Sequence, residues 1–214
     1  MKNLIIIGVG GFAREIYWHA QKSVGFGVDW QIKGFLDGDI KLATAEYELL
    51  PAEVLGDVNS YEICADDVFT CAVGSPKARR NLAEKILSRG GKFINIISTL
   101  AYVMPTVEFG CGVIIAPHTD IGDRARLGDF VATNAQTIIG HDAQIGDCSC
   151  IMPHAVISGK CKIGAEVFIG SGAILLPKAT VGDCATIGAG SVVLKKVRAG
   201  STVFGNPAIE FNSL

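Results

Sequence analysis

IGDRARLGDFVATNAQTIIGHDAQIG, the stretch from Ile121 to Gly146, reads in units of six. A large aliphatic residue opens the units at Ile121, Leu127, Ile139 and Ile145, with Thr133 in the same phase. A small residue follows four places later, at Ala125, Val131, Thr137 and Ala143. An α-helix repeats its apolar face near 3.6 residues and a half-buried strand near 2, so neither produces this spacing. A strict period of six, with one large and one small inward residue, is that of a parallel β-helix. Each unit then supplies one short strand and one turn.

The phase holds in both directions, through sixteen units from Val103 to Arg198 without an insertion. Fourteen of the sixteen leading positions are Val, Ile or Leu, the exceptions being Phe109 and Thr133. Three units close a triangular coil and coils stack about 4.8 Å apart, which predicts about five coils. Glycine often follows the leading residue, as at Gly122, Gly128 and Gly146, and predicts tight corners with positive φ.

Before the repeats the period changes. Leu4–Ile7 reads as a buried parallel strand, followed by the turn Gly8-Val9-Gly10-Gly11 and a helix over Phe12–Lys22. Strands are predicted at Gln31–Leu36, Val68–Val73 and Phe93–Ile97, with a second helix over Lys77–Arg89 entered through Pro76. Alternating strands and helices give a small Rossmann-like α/β domain with a parallel sheet. Residues 1–98 are assigned to it and residues 99–214 to the β-helix.

Ligands on such sheets sit beyond the carboxyl ends of the strands, where Gly8, Gly10, Gly11, Asp37 and Gly74 fall. A glycine turn entering a helix offers N–H groups to a phosphate, and a carboxylate ending the second strand can accept from ribose or a base. Gly8, Gly10 and Ala13 also satisfy G-x-G-x-x-A, but so short a domain holds only half of a dinucleotide fold. A nucleotide or nucleotide sugar is therefore expected there, ahead of NAD or a purely structural turn.

The prism interior is apolar, so chemistry belongs on corners and outer faces. His141 occupies the third position of its unit, a corner, with Asp142 beside it to fix its tautomer. Eighteen residues make one coil, which puts Gly159 next to His141 on the adjacent coil. His118 and His154 share the fourth position two coils apart, on another edge. No pair of histidines has the five-residue spacing that a zinc-binding β-helix carbonic anhydrase uses, and no metal site is expected.

The formal net charge of −2 gives no basic field for nucleic acid. Seven cysteines without a C-x-x-C pair predict free, mostly buried thiols in a reducing cytoplasm, with Cys148, Cys161 and Cys184 filling small apolar positions. Leu4–Ile7 ends in a glycine turn with no cleavage site after it, and no apolar run is long enough for a membrane span.

The segments Gly8-Val9-Gly10-Gly11-Phe12-Ala13-Arg14-Glu15, Gly34-Phe35-Leu36-Asp37-Gly38-Asp39, Ala72-Val73-Gly74, Asn134 with Ile139-Gly140-His141-Asp142, and Gly205-Asn206-Pro207-Ala208 occur in this order. Together they resemble the bacterial sugar acetyltransferases related to sialic-acid O-acetyltransferase and to nucleotide-aminosugar N-acetyltransferases. The resemblance implies a left-handed β-helix, a homotrimer and acetyl-CoA lying between neighbouring helices. It implies His141 as general base supported by Asp142, with Gly159 giving its N–H to the acetyl carbonyl or pantetheine. Asn134 is implied in substrate binding, and Gly205 and Pro207 near the adenine end of the coenzyme. Cys150 stands where some relatives carry a second histidine, with His154 nearby, and Ile209 stands where a basic residue is common. The expected activity is N-acetylation of a nucleotide-linked aminosugar. O-acetylation of a sialic-acid-type sugar and a non-catalytic binding module are the alternatives.

Overall fold

The computed structural model describes residues 1–38 and 48–211, so Asp39 lies outside the described residues. Met1–Thr99 and Leu100–Leu214 form two compact units.

In the first unit β1 (Lys2–Ile7), β2 (Trp30–Asp37), β3 (Val54–Asp57) and β4 (Asp67–Cys71) make a parallel sheet in the order β3-β2-β1-β4. β3 was not anticipated: four residues with no fully buried side chain carry no apolar signal. The central strand β1 is covered on both faces, which explains the unbroken apolar run Leu4–Ile7, all fully buried. Helix α1 (Gly11–Ala20) turns Ala13, Ile16 and Ala20 inward at spacings of three and four. It stops two residues before the predicted Lys22, where Lys22 N–H folds back to the His19 carbonyl. Helix α2 (Pro76–Leu87) starts at Ser75, whose hydroxyl caps Ala78 N–H, and places Pro76 in its first turn. The strand predicted over Phe93–Ile97 is reduced to Ile96–Ile97 and a bridge from Phe93 to Phe69.

A buried polar staple ties β2 to β4. The Asp67 carboxylate, fully covered, accepts from Lys33 Nζ at 2.9 Å, from the Tyr61 hydroxyl at 2.9 Å and from Cys64 N–H at 2.9 Å. Burial pushes its carboxyl upward, but these donors outweigh burial and hold it below the ordinary range. Hydrogen bonds to Tyr61 and Asp67 raise the Lys33 ammonium. A depressed carboxyl stabilises the fold above its unfolded value near 4 and loses that contribution as pH falls. A raised ammonium contributes below about 10 and loses it at higher pH. The staple is therefore complete at neutral pH and weakens first in acid. Asp67→Asn is expected to cost on the order of 2 kcal/mol at pH 7, with the difference from wild type shrinking below pH 4. Thermal melts across that range measure it, and a constant difference would contradict the assignment.

The second unit is the left-handed prism. Two of its faces carry six parallel strands each, so the stack is about one coil deeper than predicted. Residues pair eighteen apart as far as Val193, as in Arg126 with Gln144 and Ile139 with Ile157. Inward residues from Ile115 onward are buried, whereas Val103 and Phe109 on the first coil are only partly covered. The period breaks at the end. Lys196 pairs with Thr180, sixteen residues away, and Val197 rather than Ala199 fills the core. The two-residue shortening precedes a closing turn, in which Thr202–Phe204 pairs antiparallel with Ile209–Glu210.

Glycine serves the corners in two ways, of which only one was expected. Left-handed φ falls two residues after the glycine position, and its occupants include Arg124, Phe130, Gln136, Asp142 and His154. Gly112, Gly172 and Gly190 also hold that conformation, as expected, but the glycines that directly follow the leading residues do not. Gly110, Gly128, Gly146, Gly164 and Gly182 line one edge, where a Cβ on Gly146 would lie 2.5 Å from the Gly164 carbonyl carbon. Close approach of successive coils requires them. The same phase corrects two cysteines: only Cys161 fills a small inward slot, while Cys148 and Cys184 sit at positive-φ corners and Cys184 is exposed.

Candidate functional site

The first unit gathers every sequence-predicted ligand residue of that domain into one cavity of about 370 Å³. Gly8, Gly10 and Gly11 follow β1, Asp37 ends β2, and Gly74 follows β4, so segments far apart in sequence meet above the strand ends. Gly8 has φ +113°, and a Cβ there would lie 2.8 Å from the Ala72 carbonyl oxygen, so the fold itself demands glycine. Gly10 and Gly74 differ: a Cβ on either would meet nothing within 4 Å. Their bareness keeps the cavity open. First-turn N–H groups of α1 have no partner within the helix and carry the positive end of its dipole. Asp37 is buried at the cavity wall and supplies the carboxylate. Such a pocket suits a phosphorylated sugar or nucleoside, with N–H groups for phosphate and an acceptor for hydroxyl or base N–H groups.

Arg79, from α2, was not anticipated. It is almost wholly buried and its Nε donates to the Val73 carbonyl at 2.9 Å, bracing the turn that carries Gly74. Arg79 shares the inward face of the helix with Leu82, Ala83 and Ile86 at helical spacing, but the residue type itself suggests an exposed side chain.

The second unit brings His141, Asp142 and Gly159 together. His141 follows the strand Ile138–Ile139 at a prism edge, with its ring exposed. Its Nδ1 lies 2.8 Å from Asp142 Oδ2. Hydrogen bonds from His141 and then from Arg124 hold the Asp142 carboxyl below the usual range, so it is an ionised acceptor. Nδ1 therefore carries the proton and Nε2 presents its lone pair outward. Gly159 stands one coil on, as the eighteen-residue spacing requires. A Cβ there would lie 2.5 Å from His141 Nε2. Among the described residues, the Gly159 N–H donates to no acceptor while its carbonyl accepts from Lys178 N–H. A proton acceptor and a free amide thus share one edge. That pairing can deprotonate a nucleophile and bind an oxyanion.

The remaining candidates lie elsewhere. Asn134 sits at the opposite end of the same face from His141, nearly buried, with Nδ2 3.6 Å from Met152 Sδ. His118 and His154 occupy the Asn134 edge, away from His141 and both exposed, and Cys150 is buried. The Gly205–Pro207 turn is bonded to Val192, through Val192 N–H to the Gly205 carbonyl and Ala208 N–H to the Val192 carbonyl. Val192 lies three strands beyond Ile138 on one face, roughly 14 Å along the axis. No group of three His, Cys, Asp or Glu residues is arranged to hold a metal among the described residues. No described helix is long and apolar enough to cross a membrane.

Residues 3–86 match the PglD N-terminal domain, and residues 160–195 match the bacterial transferase hexapeptide repeats. Among curated proteins, GDP-perosamine N-acetyltransferase of Escherichia coli O157:H7 is 37% identical over 79 residues. That match covers 37% of this chain and spans 36% of the relative's length. The acetyltransferase domain of PglB from Neisseria gonorrhoeae, solved with acetyl coenzyme A, superposes with a TM-score of 0.85 at 28% identity. The alignment covers 98% of this chain and 99% of that one. PerB from Caulobacter crescentus, solved with CoA and GDP-perosamine, shares the fold with a TM-score of 0.87 at 24% identity, covering 99% and 98% of the two chains.

Proposed function

We propose that this chain, a member of the sugar acetyltransferase family by its PglD-type N-terminal domain and hexapeptide repeats, transfers acetyl from acetyl-CoA to the amine of a nucleotide-linked aminosugar. The observation that carries the reading is the edge where His141 Nε2, backed by Asp142, stands beside the free N–H of Gly159. The acceptor amine attacks the thioester carbonyl while Nε2 takes its proton. Negative charge forms on the carbonyl oxygen, where the Gly159 N–H donates to it. Collapse breaks the C–S bond, and the imidazolium returns the proton to the departing CoA thiolate. Amide and free CoA result, with no covalent enzyme intermediate.

The glycine cavity of residues 1–98 holds the nucleotide, with phosphate on the α1 turn and Asp37 on ribose or base. Residues 99–214 supply the coenzyme groove, its adenine end near Gly205 and Pro207. The 14 Å rise between that turn and His141 suits an extended pantetheine arm.

The active form is a homotrimer in the cytoplasm. Support for the trimer comes from the face between Asn134 and His141, whose outward residues are Tyr102, Asp120, Ile138, Val156, Ile174 and Val192, all but Asp120 aromatic or aliphatic; Tyr102 is 65% and Ile138 46% exposed. Packing that face against a neighbour covers the stripe and lets Asn134 of one protomer approach His141 of the next.

The test pairs binding with turnover. UDP-, GDP-, dTDP- and CMP-sugars bearing an amine or only hydroxyls are screened for thermal stabilisation, and the positives are assayed with acetyl-CoA on the species whose mass corresponds to three chains of 22.5 kDa. We expect one nucleotide class to stabilise and its amino form to be acetylated. Preference for the hydroxyl sugar would establish O-acetylation instead, and absence of acetyl-CoA binding by an intact trimer would leave a binding module.

A further inference from the structure

The edge that carries His141 holds a charged side chain that the acyl-transfer scheme leaves idle. Arg124 precedes Asp142 by eighteen residues and lies one coil before it. Its Nε donates to Asp142 Oδ1 at 3.0 Å, while His141 Nδ1 occupies the other oxygen at 2.8 Å. Arg124 is itself held in place. Its backbone N–H donates to Thr106 Oγ1 at 2.9 Å, and the Thr106 hydroxyl donates to Asp123 Oδ1 at 2.6 Å. Asp123 Oδ2 lies 3.5 Å from Arg124 Nε. A line of polar contacts therefore crosses three coils and ends at the imidazole.

Stability does not account for it. The Arg124 side chain is 67% exposed, and ion pairs so open to water contribute little to folding. Chemistry does. A carboxylate bound to an imidazole alone orients the ring but also favours its protonated form, which accepts nothing from an incoming amine. A guanidinium on the second oxygen keeps the orientation and offsets the charge. The charged groups around the ring are Asp142 and Arg124, with Asp123 behind the guanidinium. Lys160 is exposed on the next coil, where its backbone N–H donates to the His141 carbonyl.

We propose that Arg124 is a positioning residue for this site: it fixes the Asp142 carboxylate against His141 and divides that carboxylate's charge, so that the imidazole remains a proton acceptor at neutral pH. The inference rests on His141 acting as the base.

Two variants separate geometry from charge. Arg124→Gln keeps an N–H donor for Asp142 and removes the cation; Arg124→Lys keeps the cation on a different frame. In Arg124→Gln the acid limb of the kcat–pH profile is expected to move to higher pH by roughly half a unit, with KM for acetyl-CoA unchanged. In Arg124→Lys the limb is expected to stay in place while kcat falls a few fold. Arg126→Gln, which removes a cation paired with Glu108 instead, is the control and leaves the limb in place.

A readout independent of turnover is the carbon-13 titration of the Asp142 carboxyl, expected at higher pH in Arg124→Gln than in wild type. An acid limb unmoved in Arg124→Gln overturns the proposal, and so does an unmoved carboxyl titration. Were His141→Ala fully active, the base assignment would fall, whereas the carboxyl titration would still report whether Arg124 grips Asp142.

Discussion

Replacing His141 with alanine is expected to lower turnover by about 10²–10⁴-fold, the range that a positioned general base contributes, while acetyl-CoA binding stays close to wild type. The ring is exposed at a prism edge and none of the core depends on it, so the variant folds and the loss is chemical. Steady-state assays give the turnover and calorimetry gives the coenzyme affinity. Unchanged turnover would remove His141 from the mechanism; loss of coenzyme binding with it would make the residue a binding group. Residual activity is expected to rise with pH, because an amine already free of its proton needs the base least.

Gly159→Ala is expected to do comparable damage through a single methyl group. Its Cβ would come within 2.5 Å of His141 Nε2, the atom that must face the acceptor. The atoms it strikes belong to the free end of a surface side chain, so the ring swings aside and the coils stay stacked. Misplacing a catalytic group by about 1 Å can cost on the order of 10²-fold, and the new methyl also crowds the approach to the Gly159 N–H. We expect kcat to fall about 10²-fold, with a melting temperature within a few degrees of wild type. A kcat within twofold of wild type would show that neither the ring position nor that amide matters. A collapse of the melting temperature would assign Gly159 to coil packing.

Gly159 illustrates what the sequence makes legible. A fixed eighteen-residue coil turns spatial adjacency into subtraction, so its contact with His141 is available before any coordinates. The same subtraction, 142 to 124, leads to Arg124, yet an arginine on an exposed turn belongs to no motif and looks like ordinary surface. The glycine cavity was legible for another reason: in a parallel sheet all strand ends point one way, so Gly8, Asp37 and Gly74 must converge. What escaped was governed by contacts that leave no periodic trace. β3 has too few buried side chains to register, and the burial of Arg79 depends on the Val73 carbonyl it meets. Positive φ accounts for Gly112, Gly172 and Gly190, whereas the glycines directly after the leading residues are required by the space between coils, which no single unit reveals. The shortened final unit was also invisible, since Val197 is as apolar as the residues that keep strict phase.

The uniform eighteen-residue pairing also restricts how such a chain can change in length. A substitution disturbs one rung and its two neighbours, but a single residue gained or lost between Val103 and Val193 would throw every later side chain out of alignment with the rung beneath it. Growth or shrinkage by whole rungs is the permitted change, and smaller edits are tolerated only after the last regular rung, where the shift at Val197 leads into the antiparallel closing turn. Lineages of such proteins should accordingly differ by multiples of eighteen within the prism, and the reach between their acyl-transfer edge and their closing turn should change in steps rather than continuously.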